Sequence, residues 1–142
     1  MHSIRDILQK KGTVVWSTSP NETVLEAIRR MAEHDVGALL VMEGEELVGF
    51  FSERDYTRKV ILSGLRSQNT PVSAVMSTPV LTITPDATVQ EGLALMIEKS
   101  VRHLPVTDDS GVVGTVSIRD LAEAVIEDQQ VLIEQLEDYL TR

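Results

Sequence analysis

The sequence predicts a mixed α/β (α+β) fold built from two tandem copies of one β-α-β-β-α unit. Two observations carry that expectation. One is a gapless internal repeat at an offset of 65 residues. The other is a hydrophobic period that switches from two to 3.6 and back within each copy. From Pro20 to Asp55, 14 of 36 positions are identical to the residue 65 places on, far above chance. The matches include Pro20/Pro85, Thr23/Thr88, Met31/Met96, Leu39/Leu104, Gly49/Gly114, Ser52/Ser117, Arg54/Arg119 and Asp55/Asp120.

Each copy opens on a β-prone stretch, Thr13–Thr18 and then Pro79–Thr84. A proline follows, with Asn21 or Asp86 beside it as a helix-start signal. The helix of copy one carries Val24, Ala27, Ile28 and Met31 on one face, and copy two carries Val89, Leu93 and Met96. Gly92 stands where copy one has Ala27 and predicts close helix packing, since a mid-helix glycine costs about 1 kcal/mol against alanine. Two hairpins come next. Val36–Met42 and Leu47–Phe51 flank a short acidic loop, and Val101–Thr107 and Val112–Val116 flank another. A second helix begins after Ser52 in one copy and after Ser117 in the other. The latter helical pattern runs to about Leu140, with Leu121, Val125, Leu132, Leu136, Tyr139 and Leu140 on a stripe broken by Asp128 and Gln129. That stripe either packs on its own domain or meets a second chain. The expected divisions are an N-terminal helix plus copy one (1–63), a linker (64–79) with a helical turn at Val72–Met76, copy two (80–128) and a C-terminal helical extension (129–142).

Composition bounds the function. A chain of 142 residues that is 42% hydrophobic and only 4% aromatic can bury a largely aliphatic core. The formal net charge of −9 disfavours nucleic acid and anionic membrane as partners, because phosphate backbones are bound by basic faces. There is no cysteine, which excludes disulfides and thiolate chemistry and fits a reducing cytoplasm. No apolar run approaches the roughly 20 residues that span a bilayer, and the N-terminus has no secretion-signal pattern.

The chemistry-bearing motif ends each hairpin: Gly49-Phe50-Phe51-Ser52-Glu53-Arg54-Asp55 and Gly114-Thr115-Val116-Ser117-Ile118-Arg119-Asp120. Ser-x-x-Asp at a helix start is a capping box. The same geometry can bind a sugar-phosphate. The helix N-terminus faces the phosphate, the serine hydroxyl donates to it, and the aspartate accepts from two ribose hydroxyls. Arg54 and Arg119 can meet phosphate charge. A cap alone requires neither the glycine nor the arginine, and their recurrence favours the binding reading.

These motifs, with Arg102-His103-Leu104-Pro105-Val106 and Ser52–Val60, resemble the tandem cystathionine β-synthase (CBS) domain pair, or Bateman module, of the stand-alone type. The resemblance covers about Ile4 to Asp128. It implies two copies packed through their sheets about a pseudo-twofold axis. It also implies a cleft that holds AMP first, with ADP, ATP, NAD or S-adenosylmethionine as alternatives, and homodimers formed by helix packing. By resemblance, Asp55 and Asp120 hold ribose, while Ser52 and Ser117 donate near phosphate. Thr18 and Thr84 touch base or ribose, and the strand edges at Gly37-Ala38-Leu39 and Arg102-His103-Leu104-Pro105 read adenine. The copies differ at that edge, so their sites should not bind alike. Arg102 suits either a phosphate or a surface ion pair, and His103 reads as a strand residue. Arg58 and Lys59 read as a solvated helix face.

The expected function is therefore a regulatory sensor that binds an adenosine-containing ligand and signals to a regulated protein. No catalytic cofactor, metal or enzymatic activity is expected. His2, His34 and His103 lack metal-ligand spacing, and no Walker loop or Gly-x-Gly-x-x-Gly occurs. The alternative is a ligand-free interaction module acting through its C-terminal helix.

Overall fold

A computed structural model describes residues 2–141. In chain order the elements are α1 (Ile4–Lys11), β1 (Ser17–Thr18), α2 (Val24–His34), β2 (Ala38–Glu43) and β3 (Glu46–Ser52). A single turn, α3 (Glu53–Asp55), then runs into a π-helical segment (Tyr56–Ile61), and a 3-10 turn (Val72–Ala74) follows. The last elements are α4 (Val89–Lys99), β4 (His103–Asp108), β5 (Gly111–Ser117) and α5 (Ile118–Thr141). They condense into two units. One is contiguous, Val15–Leu81; the other is split, joining the chain before residue 15 to the chain after residue 81.

In the contiguous unit β1 runs parallel to β2, with Thr18 opposite Val41. β2 pairs antiparallel with β3, from Ala38 opposite Ser52 to Glu43 opposite Glu46. Strand alternation turns Leu39, Val41 and Phe51 inward, where the Val24, Ala27 and Met31 stripe of α2 covers them. The split unit repeats this 65 residues on. β4 pairs with β5 from His103–Ser117 to Asp108–Gly111, and the register slips after Val106 as it does after Val41. Ile83 bridges Val106 in parallel, where Thr18 meets Val41.

Several sequence expectations shift. The β-prone stretches shrink to Ser17–Thr18 in one copy and to the lone Ile83 bridge in the other, because the rest of each stretch carries the chain from one unit to the next. The helix starts lie two residues beyond Asn21 and Asp86. Thr23 and Thr88 are the N-caps, their hydroxyls accepting from the N–H groups of Glu26 and Glu91. Both helices end on a left-handed residue, Asp35 (φ 53°) and Ser100 (φ 54°), whose N–H reaches back to Met31 or Met96. α5 is continuous from Ile118 to Thr141, but only its first turns bury side chains, Leu121 and Ala124. Ile126, Leu132, Ile133, Leu136, Tyr139 and Leu140 are exposed.

The division into domains also changes. α1 belongs with copy two, and the 3-10 turn in the expected linker belongs with copy one. These two lead segments are themselves a repeat, at an offset of 68 rather than 65. Ile4, Ile7 and Leu8 are buried in the split unit, and Val72 and Val75 in the contiguous one. The main-chain bonds match as well. Ile4 N–H donates to Ala87 O and Val89 N–H to His2 O, just as Val72 N–H donates to Glu22 O and Val24 N–H to Thr70 O. Each lead segment lies on the glycine of its hairpin. A Cβ built on Gly114 would sit 2.7 Å from Leu8 Cδ2, and one built on Gly49 would overlap Met76 Sδ. Gly92 is tight too, with Leu121 Cδ1 only 2.9 Å from a built Cβ, as mid-helix packing required.

Gly114→Ala should therefore cost about 1–3 kcal/mol of unfolding free energy in urea titration. Combining it with Leu8→Val should recover part of that loss. Ser100→Gly should stabilise by about 0.5–1 kcal/mol, because glycine occupies the left-handed region without a Cβ penalty.

Candidate functional site

The hairpin exit of the contiguous unit is assembled by register. Ala38 lies opposite Ser52, and Glu53 N–H donates to Gly37 O, so the expected adenine-reading edge and the motif serine share one place. Ser52 caps α3: its Oγ accepts from Asp55 N–H, and Asp55 Oδ2 accepts from Ser52 N–H at 3.0 Å and from Ser52 Oγ at 3.1 Å. The other carboxylate oxygen, Oδ1, accepts from Ser77 Oγ at 2.8 Å and faces Lys59 Nζ at 3.1 Å. Asp55 is 7% exposed, so these four contacts saturate a buried charge. Thr18 is buried as well, and its Oγ1 has no hydrogen-bond partner among the described residues.

The split unit repeats the frame. His103 lies opposite Ser117, and Ile118 N–H donates to Arg102 O. Ser117 Oγ accepts from Asp120 N–H, and Asp120 Oδ2 accepts from Ser117 N–H at 2.8 Å and from Lys11 Nζ at 2.7 Å. Burial alone would raise the Asp120 carboxyl, but the Lys11 ammonium and the Ser117 donors outweigh it and hold it below its ordinary value. Leu104 and Pro105 are buried, whereas Thr84 and Arg102 are exposed. Thr84 is one residue past Ile83, the counterpart of Thr18, so the two threonines are not structural equivalents.

Three residues that the sequence reading passed over complete these sites. Lys59 was assigned to a solvated face, yet it reaches Asp55 one turn back along its own helix, a spacing visible in the sequence. Ser77 and Lys11 come from the lead segments and play matching parts. Ser77 N–H donates to Phe50 O while its hydroxyl donates to Asp55. Lys11 Nζ donates to Thr115 O, the equivalent carbonyl, and to Asp120. Nothing in local sequence signals either contact.

Part of the recurrence between the two motifs also has a structural cause. The motif glycines are needed for lead-segment packing, and Arg119 pairs with Glu123 along its own exposed helix face (Nε–Oε1 3.1 Å). Arg54 is exposed. The capping role of both Ser/Asp pairs is therefore realised in full. Chemically, each unit nonetheless brings a carboxylate and an ammonium together at a helix start.

The molecule is a duplicated hairpin-and-helix scaffold with paired Ser/Asp exits, and no cluster of metal ligands occurs among the described residues. The family comparison gives it a place. The CBS domain model matches residues 4–61 and 72–127, and the chain belongs to the CBS domain family as a tandem pair. Such pairs are generally regulatory or signalling modules. The two matched segments start at the two lead segments, as the 68-residue offset requires. The chain is 35% identical to the mitochondrial CBS domain-containing protein CBSX3 of Arabidopsis thaliana, over 97% of this chain and 71% of that protein. It is 37% identical to YhcV of Bacillus subtilis, over 86% and 84%. A solved Burkholderia ambifaria protein with CBS domains, to which a signal-transduction role has been ascribed, superposes with a TM-score of 0.87 at 40% identity. That match covers 90% of this chain and 96% of the other. No helix among the described residues is long and apolar enough to cross a membrane.

Because its folded value is depressed, Asp120 contributes stability at pH above about 4 and loses it as pH falls through the folded value. Urea midpoints measured between about pH 6 and pH 2.5 should therefore fall more steeply for the wild type than for Asp120→Asn or Lys11→Met. Equal slopes would show that the pair carries no linkage.

Proposed function

We propose that this CBS pair is a sensor that binds an adenosine-containing ligand and passes the bound state to a regulated protein without turning the ligand over. The observation that carries the reading is the aspartate–lysine pair at each helix start, Asp55 with Lys59 and Asp120 with Lys11. The lysines come from non-equivalent positions, so the pairing is not simply a copied residue. A carboxylate beside an ammonium at a helix N-terminus matches the two ends of a ribose phosphate. The carboxylate accepts from vicinal hydroxyls, and the ammonium and free N–H groups receive the phosphate. In the contiguous unit the unsatisfied Thr18 hydroxyl adds a further group for the ligand. AMP is the first expectation, with ADP, ATP, NAD and S-adenosylmethionine as the alternatives. The active form is a homodimer, and the cysteine-free chain suits a reducing cytoplasm.

A second reading, a ligand-free interaction module, draws on the exposed apolar side chains of α5 from Ile126 to Leu140. One panel separates the two. Thermal shift with AMP, ADP, ATP, NAD and S-adenosylmethionine should find one ligand that stabilises by about 2.7 kcal/mol at 100 times its dissociation constant. Asp55→Asn or Asp120→Asn should abolish that ligand-induced shift at the live site, whatever each does to the unliganded melting point. Absence of any shift, or shifts that survive both substitutions, would remove the sensor reading.

A further inference from the structure

α5 outruns the unit that it belongs to. Its first turns bury Leu121 and Ala124, and from Gln129 to Leu140 every residue is exposed. The helix is fastened where it leaves. Lys10 of α1 pairs with Glu127, and His2 Nδ1 lies 2.7 Å from Asp128 Oδ1. Around and beyond that root, Ile126, Leu132, Ile133, Leu136, Tyr139 and Leu140 are between 47% and 78% exposed. At 3.6 residues per turn these side chains fall within an arc of about 140°, one continuous stripe about 22 Å long. The charge of the projection is of one sign. Glu127, Asp128, Glu134, Glu137 and Asp138 flank or back the stripe, and no lysine or arginine occurs between Arg119 and Arg142. By the same helical spacing Glu137 and Asp128 border its two edges. Glu134, Glu137 and Asp138 form no ion pair among the described residues. The last turn adds the negative end of the helix dipole. The projection begins where the match to the CBS domain model ends, at residue 127.

We infer that the projecting part of α5 docks a basic amphipathic helix of a partner protein. An apolar stripe of this width is covered by the matching stripe of a second helix lying alongside it. Charge selects which helix. A second copy of α5 would bring five more carboxylates against the same five and supply no cation, so like charges would line both edges of the seam. An anionic bilayer is refused for the same reason, since helices that lie on such a surface carry lysine and arginine on their polar face. A partner helix with apolar residues at i, i+3, i+4 and i+7 and lysine or arginine beside them satisfies both the stripe and its acidic borders. Docking of this kind rests on the reading that the chain acts on a partner protein, and it needs no bound nucleotide.

Fluorescence anisotropy on the full chain tests it, with synthetic peptides as probes. One is a leucine–lysine peptide of about five helical turns with leucine at i, i+3, i+4 and i+7. A second has the same composition in an order that gives no apolar face, and a third carries glutamate for every lysine. The first should bind about tenfold or more tightly than either control. Leu132→Gln combined with Leu136→Gln should weaken that binding about tenfold or more. Glu134→Lys combined with Glu137→Lys should weaken it to a similar degree and raise affinity for the glutamate peptide. All four side chains are exposed, so the variants should melt with the wild type. Equal binding of the first and second peptides would mean charge attraction alone and would overturn the inference. So would wild-type affinity in the leucine variant, or no binding at all. Sedimentation velocity tests the other occupant: self-association should be the same in the leucine variant as in the wild type, and its loss would put a second copy on α5 instead. A nucleotide-induced thermal shift without peptide binding would remove this docking surface and leave the sensor reading intact. Peptide binding without any nucleotide shift would do the reverse.

Discussion

The docking of a lead segment against a bare glycine on each hairpin holds the rest of the architecture in place. A two- or three-stranded hairpin sheet with one covering helix has too little apolar surface to close a core by itself. Val72 and Val75 complete that core in the contiguous unit, and Ile4, Ile7 and Leu8 complete it in the split unit. The segments reach the sheet only because Gly49 and Gly114 lack a side chain where Met76 and Leu8 must pass. Each lead segment serves the copy that it does not directly precede, so the contiguous core closes once the chain reaches Leu81, whereas the split core needs both ends of the chain. The split unit must close a loop containing the whole contiguous unit. The entropy cost of that closure grows only slowly with loop length, while the burial it permits is several fully covered side chains.

The aspartates belong to the same interlock. Asp55 and Asp120 cap the helix that leaves each hairpin, and they also hold the lead segment through Ser77 or Lys11. A carboxylate held this way is costly to replace by alanine on structural grounds alone, since the cap contributes about 0.5–2 kcal/mol and a buried donor would be orphaned. A ligand role of the kind proposed above would compete with this structural role for the same oxygens. Asp55 has all its acceptor sites committed, and a ribose arriving there would have to displace Ser77 Oγ or Lys59. Displacement of Ser77 would loosen the lead segment of that unit. On the sensor reading proposed above, ligand arrival and lead-segment docking would be linked through one carboxylate, a physical route from binding to signalling.

Much of this was legible in the sequence. The 65-residue offset gave both hairpins, both helices and the equivalence of the two Ser/Asp exits, because those positions keep identical residues. The lead-segment repeat was hidden. Ile4 and Val72, Ile7 and Val75, Leu8 and Met76 agree only in being apolar, and an offset of 68 breaks a gapless comparison at 65. The N-terminal helix was accordingly grouped with copy one, to which it is joined in sequence, and the segment around Val72 read as a linker, whereas each packs in the other spatial unit. The glycines showed as conserved between copies, but their cause, a neighbouring segment pressed on the strand, is a tertiary fact. Lys59 was readable from its spacing to Asp55. Lys11 was not, because its partner lies far along the chain.

Duplication supplies two similar faces, and divergence decides what they can do. Where backbone interlock sets the position, the copies agree: Gly49 with Gly114 and Thr23 with Thr88 in residue, and Asp35 with Ser100 in left-handed conformation. Where side chains meet solvent, the constraint lifts and they part. Ala32 became Ile97, Gly37 became Arg102 and Glu53 became Ile118, or the reverse, with no change in the strands and helices that carry them. Three substitutions on an unchanged frame exchange two small residues and a carboxylate for two isoleucines and a guanidinium.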